Sequence, residues 1–272
     1  MSRQKKLIAG ALAAALALLT GCETVNTTAP GAVGIDREQH MLVSSEDVNK
    51  GAAQAYTQEL NKARKQGTLN KDKDDVAQVQ RVTDRLIPQV GTFRPDALQW
   101  DWKVNVESSK QLNAFCMPGG KIMVYTGLID KLNLSDAELA AVLGHEMSHA
   151  LREHSREQIS RAYAQQIALV GAAVATGASG STIDLANQIA TVTFQLPHSR
   201  EQEAEADVMG LELMARAGYD PHAAVELWKK MEKASSGGPP EFLSTHPSGS
   251  SRIEDLEKNL PKVMPLYTAT QH

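Results

Sequence analysis

"VLGHEMSHALREH", residues Val142 to His154, places three histidines and two glutamates beside an apolar run. Leu139, Val142 and Leu143 recur at the spacing of one buried helical stripe. The preceding "SDAE", residues 135–138, is typical of a helix start. The pattern therefore predicts a helix that carries the histidines.

The spacing of these side chains predicts a metal site. On a helix, His145 and His149 lie four residues apart on one face, so both imidazoles can bind a single zinc ion. Glu146 lies next to the first histidine and can reach a water at that metal, which makes it the candidate general base. The alternative is a half-buried helix whose histidines make ordinary hydrogen bonds, because a five-residue pattern also occurs by chance.

A third protein ligand is required, since catalytic zinc usually has three and keeps a fourth position open. The extended motif H-E-x-x-H-x-x-G-x-x-H fails here, because Arg152 replaces its glycine and Ser155 its last histidine. His154 is one position short and about 140° around a continued helix from His149. We interpret His154 as a residue that supports the site or faces solvent.

The better candidate ligand lies in "HSREQEAEADVMG", residues His198 to Gly210. Glu203 and Asp207 are four residues apart and face the same way on a predicted helix. If Glu203 binds zinc, Asp207 can accept the outer N–H of a ligating histidine. A solvated acidic helix face is the alternative, and Glu201 and Glu205 are expected to belong to one.

Together these motifs resemble family 48 of the metallopeptidases, in particular its soluble periplasmic members. Two further stretches are similar to that family: "NAFCMPGGKIMVYTGL" at residues 113–128 and "STHPSGSSRIEDL" at residues 244–256. The resemblance covers roughly residues 72–260 and implies a zincin-like (gluzincin) metalloprotease domain of the α+β class, mainly helical, with one zinc ion. The residues that it implies are the zinc ligands His145, His149 and Glu203, the base Glu146, the supporting Asp207, and the further catalytic residues His246 and Arg252.

A small β-sheet is predicted beside the site. Residues 98–106 alternate apolar and polar side chains, as a strand with one buried face does, and residues 121–126 form a second predicted strand. Between them the resemblance places an edge strand that lines the active-site cleft, where main-chain hydrogen bonds could hold an extended peptide. The Gly119-Gly120 pair is also consistent with a simple hairpin turn. The substrate-binding residues expected on this strand are Asn113, Ala114 and Phe115.

The first residues have the features of a secretory signal. Basic residues precede an apolar run from Leu7 to Leu19, which is shorter than the about 20 residues of a bilayer span. "LTGC", ending at Cys22, matches a bacterial lipobox and predicts cleavage before Cys22 and its lipidation. Glu23 in place of aspartate then indicates the outer membrane, facing the periplasm. The alternative is an ordinary signal peptide with a chance cysteine.

The predicted organisation is a lipoprotein signal peptide at residues 1–21, a lipidated tether at 22–47 and a zinc metalloprotease domain at 48–272. "LVGAAVATGASGS", residues 169–181, is predicted to form the tip of a helical hairpin, which packs through its small residues or acts as a lid or greasy contact. The other segments predicted to be helical are residues 48–65, 76–90, 221–233 and 250–260.

Composition limits the alternatives. Apolar residues make up 42% of the chain, enough for one substantial core. With Cys22 lipidated, Cys116 is the one remaining cysteine, so an intramolecular disulfide is excluded. A net charge of −4 and the lack of a concentrated basic stretch argue against nucleic acid as a partner.

The predicted function is zinc-dependent hydrolysis of misfolded or stalled cell-envelope proteins, with the substrates implied by the family and the compartment. The alternative is a chaperone or assembly factor for outer-membrane proteins, working with their assembly machinery, in which proteolysis is a gated second activity. A structural zinc lipoprotein is disfavoured, because a structural site needs no base such as Glu146.

His246 follows a loop containing "GGPP", residues 237–240, and two opposed roles remain open for it. It could donate a hydrogen bond to the oxyanion of the tetrahedral intermediate. It could instead bind zinc at the open fourth coordination position while no substrate is present, as the resemblance suggests. A histidine that merely caps its loop is the third possibility. Gating is favoured, because a protease with an edge strand open to any extended chain needs restraint.

Overall fold

The computed structural model of the chain describes residues 23–174, 185–234, 241–247 and 251–271. Helices dominate these residues, which confirms the predicted mainly helical α+β class. The predicted signal peptide and Cys22 lie outside the described residues, as does the part of the predicted hairpin tip from residue 175 onward. The helices are α1 (Ser45–Gln66), α2 (Lys73–Leu86), α3 (Thr126–Leu132), α4 (Asp136–Leu151), α5 (His154–Val174), α6 (Leu185–Phe194), α7 (Arg200–Arg216), α8 (His222–Ala234), α9 (Glu241–Thr245) and α10 (Arg252–Ala269).

The strands form two small sheets. An antiparallel pair joins β1 (Glu23–Val25) to β2 (Gln39–Met41). The second sheet has the order β3-β5-β4, built from β3 (Lys103–Glu107), β4 (Ala114–Met117) and β5 (Lys121–Tyr125). β3 runs parallel to β5, and β4 runs antiparallel to it, with Phe115 opposite Met123. β4 is therefore an edge strand, as predicted.

The strand predicted over residues 98–106 is wrong in its first half, because Pro95–Gln99 forms a 3₁₀ turn and β3 begins at Lys103. The Trp100 N–H and the Trp102 indole N–H both donate to the carbonyl of Ala97, at 3.2 and 2.8 Å. The two indole rings stack with centroids 5.6 Å apart. The alternating apolar residues here therefore belong to a turn and two half-buried, stacked tryptophans, and only the last of them belong to a strand.

Helices α4 and α7 cross in close backbone contact, and this crossing builds the site. Each helix begins with a complete capping box, which satisfies its first free N–H groups. At the crossing, a Cβ added to Gly210 would lie 2.7 Å from the backbone nitrogen of His145, and one added to Gly144 would lie 2.9 Å from the carbonyl oxygen of Gly210. Glycine at both positions lets the backbone of α7 lie directly beside His145.

Part of the predicted tether packs against the domain. The Val33 N–H donates to the buried carboxylate of Glu212 at 3.0 Å, and the Gln39 amide donates to the carbonyl of Arg152 at 2.7 Å. The chain therefore contacts α7 and the end of α4 before α1 begins. The domain boundary at residue 47 stays a prediction.

Candidate metal centre

The predicted helix around the two histidines is present as α4, and it brings their inner ring nitrogens together. His145 and His149 are 3% and 4% exposed, and their Nε2 atoms lie 3.1 Å apart. The four-residue spacing is the reason, since it places both rings on the face that meets α7. The structure brings the two imidazoles together, as the spacing predicts.

Helix α7 supplies the carboxylates at the positions expected from their spacing. One oxygen of Glu203 lies 3.5 Å from Nε2 of His145, and the other lies 3.3 Å from Nε2 of His149. Asp207 Oδ1 lies 2.9 Å from Nδ1 of His145, the nitrogen on the far side of that ring. Glu203 thus joins the cluster of inner nitrogens, and Asp207 contacts its outer edge.

His246 completes the cluster from the C-terminal part of the chain. Its Nδ1 lies 3.2 Å from His145 Nε2 and 3.0 Å from Glu203 Oε1. The backbone N–H of His246 donates to the carbonyl of Phe242 at 2.9 Å, and the two rings stack with centroids 4.4 Å apart. The short helix α9 therefore holds this imidazole against the metal-binding residues.

Arg252, the first residue of α10, binds both carboxylates from the other side. Its Nη1 donates to Glu203 at 3.0 Å and its Nη2 to Asp207 at 2.7 Å. The guanidinium lies over the ring of Trp228 at 3.4 Å, in cation–π geometry. The arginine is buried and holds the two acids in one orientation.

The donor set suits a single zinc ion. Ligand atoms of His145, His149, Glu203 and His246 all lie within 4.8 Å of one another, and all four residues are buried. Two imidazoles and a carboxylate are a common zinc-binding set, and such sites keep a fourth position for water, substrate or another ligand. Asp207 at the outer nitrogen of His145 is the carboxylate partner that zinc-bound histidines usually have.

Glu146 lies beside this cluster, and the surroundings of its carboxyl suit a general base. Its carboxyl is buried, and burial is the main cause of a raised pKa, opposed by the charges of His246 and His145. Its Oε1 makes no hydrogen bond, although Nε2 of His246 lies 3.3 Å away. A buried, unbonded carboxylate oxygen next to zinc donors can accept a proton from a water placed between them.

The edge strand reaches the same place through its backbone. The backbone of Cys116 is near enough to the Glu146 carboxyl to lower its pKa, which partly offsets the rise that burial causes. The side chain of Phe115 is buried and packs edge-on against Phe194, with ring centroids 5.0 Å apart. The side-chain oxygen of Asn113 accepts a hydrogen bond from the N–H of Ala114 at 2.9 Å. The side chains of Asn113, Ala114 and Phe115 are all buried, so the main chain is the part of this strand that a peptide could pair with.

Two histidines have larger roles in the structure than the sequence indicated. His198 stacks on His149 with centroids 4.0 Å apart, and burial lowers its pKa to about 3. No metal-ligand spacing pointed to it. His154, interpreted as a supporting or solvent-facing residue, is fully buried, with Nδ1 2.8 Å from Nδ1 of His149.

The prediction of a solvated acidic face on α7 is half right. Glu201 is exposed, as expected. Glu205 is buried instead, because His154 and two arginines cover it. The spacing along α7 gave no signal of these partners, which come from other elements.

The sequence is similar to those of known proteins. Residues 73–260 match the model of peptidase family M48. The chain is 40% identical over 158 residues to the mitochondrial metalloendopeptidase OMA1 of Arabidopsis thaliana, covering 57% of this chain and 31% of that protein. It is 31% identical over 169 residues to a protein of Vibrio cholerae named as a beta-barrel assembly-enhancing protease, covering 59% and 35%. It is 31% identical over 158 residues to metalloprotease LoiP of Escherichia coli, covering 57% and 61%.

These matches and the cluster of buried donors define a metallopeptidase with a site suited to zinc, which confirms the predicted class and cofactor. The chain belongs to peptidase family M48. Its matched part spans between about a third and three-fifths of the length of these three relatives.

Proposed function

We propose that the chain is a zinc-dependent endopeptidase with His145, His149 and Glu203 as ligands. The observation that carries the proposal is the position of Glu146, buried beside the donor set with one oxygen free of hydrogen bonds. A structural zinc site uses four protein ligands and needs no base, so such a carboxylate would be a costly addition to it.

The chemistry divides between the metal and the chain. Zinc in this site supplies a Lewis acid that polarises the scissile carbonyl and makes the attacking water more acidic. Glu146 takes the proton from that water and hands it to the leaving nitrogen, which a carboxyl of raised pKa does effectively. Asp207 orients His145, and Arg252 prevents Glu203 and Asp207 from turning away.

The substrate class follows from the edge strand. β4 offers its main chain next to Glu146, and pairing with that edge requires an extended segment of about four residues or more. A folded protein rarely exposes such a segment, whereas a misfolded or stalled one does. The proposed substrates are therefore unfolded or misassembled proteins of the cell envelope.

Unfolded substrate should be hydrolysed at least about 10-fold faster than folded substrate, because a native chain is open to proteolysis only in rare states. A disulfide-bonded protein, offered native and in its reduced and alkylated form, provides the comparison on gels. Chelation by phenanthroline should stop both reactions and added zinc should restore them. Equal rates on the two forms would contradict the substrate class, and cleavage by metal-free protein would contradict the mechanism.

An assembly role is the second candidate, and one observation favours it. His246 lies inside the donor cluster, which is the arrangement expected if proteolysis is held back while a client is bound. The similarity to the Vibrio cholerae protein points in the same direction. The two functions separate in a Glu146→Gln protein, which should still delay aggregation of an unfolded outer-membrane protein if assembly is the main task, and should not if hydrolysis is.

We further propose attachment to the outer membrane through lipidated Cys22, supported by the lipobox that ends at Cys22 and by the Glu23 that follows it. Within the part of the chain that the structure describes, no helix is long and apolar enough to cross a membrane. If lipidation of Cys22 is the anchor, Cys22→Ala should move the protein from the membrane fraction to the soluble periplasmic fraction with its zinc content unchanged. Cys116→Ala is the matched control and should stay in the membrane fraction. Membrane association of both variants would defeat the lipid-anchor proposal.

A further inference from the structure

The outer side of His149 is occupied by a second histidine. If Nε2 of His149 binds the metal, its Nδ1 carries a proton and needs an acceptor. Nδ1 of His154 lies 2.8 Å from it, and Nε2 of His154 lies 2.9 Å from an oxygen of Glu205. One tautomer of His154, protonated at Nε2, satisfies both contacts. The chain of hydrogen bonds therefore runs from the ligand to Glu205.

Two arginines fix the far end of this chain. Arg152 donates to Glu205 through Nη2 at 3.0 Å, and Arg37 donates through Nε at 2.8 Å and Nη2 at 3.0 Å. Arg37 also forms a fork with Glu157 on α5, at 2.7 and 2.9 Å. Its planar guanidinium thus joins α5 to α7, which a single ammonium group could not do with the same geometry.

Arg37 is itself held in place by the groups that it helps to orient. The Arg152 guanidinium donates to the carbonyl of Arg37 at 2.8 Å, and Gln39, two positions further along the chain, donates to Glu157 at 3.1 Å. The segment that contributes Arg37 precedes α1, whereas the match to the family begins at residue 73. The contacts to Glu205 therefore include one from outside the residues that match the family model.

We propose that His154 is a positioning residue for the zinc ligand His149, and that the segment before α1 completes the metal site through Arg37. The inference rests on the proposed zinc site. A bare imidazole at position 149 could rotate about its side-chain bonds, and the acceptor on His154 removes that freedom. Glu205 fixes the tautomer of His154, and Arg37 fixes Glu205. Partners of this kind are worth roughly 10- to 100-fold in metal affinity.

Zinc affinity, measured by competition with a chromogenic chelator, tests the proposal on the full chain. Arg37→Ala and His154→Phe should each weaken zinc binding by about 10-fold or more. Arg161→Ala is the matched control, because Arg161 pairs with the same Glu157 at 2.6 Å but does not reach Glu205. It should leave zinc affinity within about twofold of the parent. Arg37→Lys should recover part of the affinity, since it keeps the charge and loses the fork.

A purely structural salt bridge gives a different result. In that case Arg37→Ala would lower the unfolding temperature of the metal-free protein while its zinc affinity matched that of Arg161→Ala, and the proposal would be overturned. If Arg37→Ala fails to fold, the zinc affinity of Glu205→Gln tests the proposal instead. That change preserves the shape of the side chain and one acceptor oxygen while it removes the negative charge. Parent-like zinc affinity in Glu205→Gln would equally overturn it. The measurement uses no peptide, so a loss of zinc affinity in these variants would stand even if the parent hydrolysed nothing.

Discussion

Replacing Glu146 with glutamine is expected to slow peptide hydrolysis by roughly 10²- to 10⁴-fold, the contribution of a positioned general base. An amide of the same shape can still hydrogen-bond a water but cannot take its proton. Zinc binding should persist, because the nitrogens and oxygens that meet in the cluster come from His145, His149, Glu203 and His246. The change therefore separates catalysis from metal binding.

Hydrolysis of casein and the zinc content of the purified proteins check this expectation together. Glu201→Gln is the matched control, since Glu201 is exposed on α7, two residues from a ligand. It should retain both zinc and activity. A Glu146→Gln protein that loses its zinc would show a role in metal binding, and one that hydrolyses casein at the parent rate would remove Glu146 from the mechanism.

The parts of the site that the sequence could predict are those that depend on spacing within one helix. The apolar stripe and the start signal at Ser135 are local, and α4 begins and caps as they indicate. The four-residue spacings in α4 and α7 decide which side chains share a face. Both hold whatever the rest of the chain does, so His145 and His149 share one face of α4, and Glu203 and Asp207 share one face of α7, as expected.

The contacts between elements could not be read in this way. Nothing in the spacing of Gly144 and Gly210 shows that they meet, yet their contact sets the distance between the ligand helices. Glu205 looked like part of a solvated face because its partners are distant in sequence, Arg37 by 168 positions. Residues 98–106 were misread for a related reason, since a 3₁₀ turn with stacked tryptophans shows the same alternation as a strand.

The position of His246 bears on its two candidate roles. An oxyanion donor must aim a nitrogen at the place where the carbonyl oxygen of the substrate will lie. Here Nδ1 of His246 is directed at the ligand atoms of His145 and Glu203, and Nε2 lies 3.3 Å from the Glu146 oxygen. Nδ1 thus contacts the metal-binding atoms, and Nε2 lies beside the oxygen of the base without a hydrogen bond to it. We therefore propose that this imidazole moves away before substrate reacts, which is the gating role.

His246→Ala is accordingly expected to raise casein hydrolysis while zinc stays bound. If the open arrangement is a minor state populated at roughly 0.1–10%, removing the gate should increase the rate by about 10- to 1000-fold. The oxyanion role predicts the opposite, a fall of roughly 10²- to 10³-fold. Ser244→Ala, an exposed change on the same short helix, is the control and should leave the rate unchanged.

The zinc content of His246→Ala makes the outcome decisive. Three ligands remain after the change, so a gate can be removed without emptying the site, and faster hydrolysis at full zinc occupancy would support it. Slower hydrolysis at full occupancy would instead assign His246 to the transition state, because a resting ligand contributes nothing once substrate is bound. A parent-like rate would show that the contacts at 3.0 to 3.3 Å neither restrain the site nor assist it. The restraint proposed for a protease with an accessible strand edge would then have to come from another part of the chain.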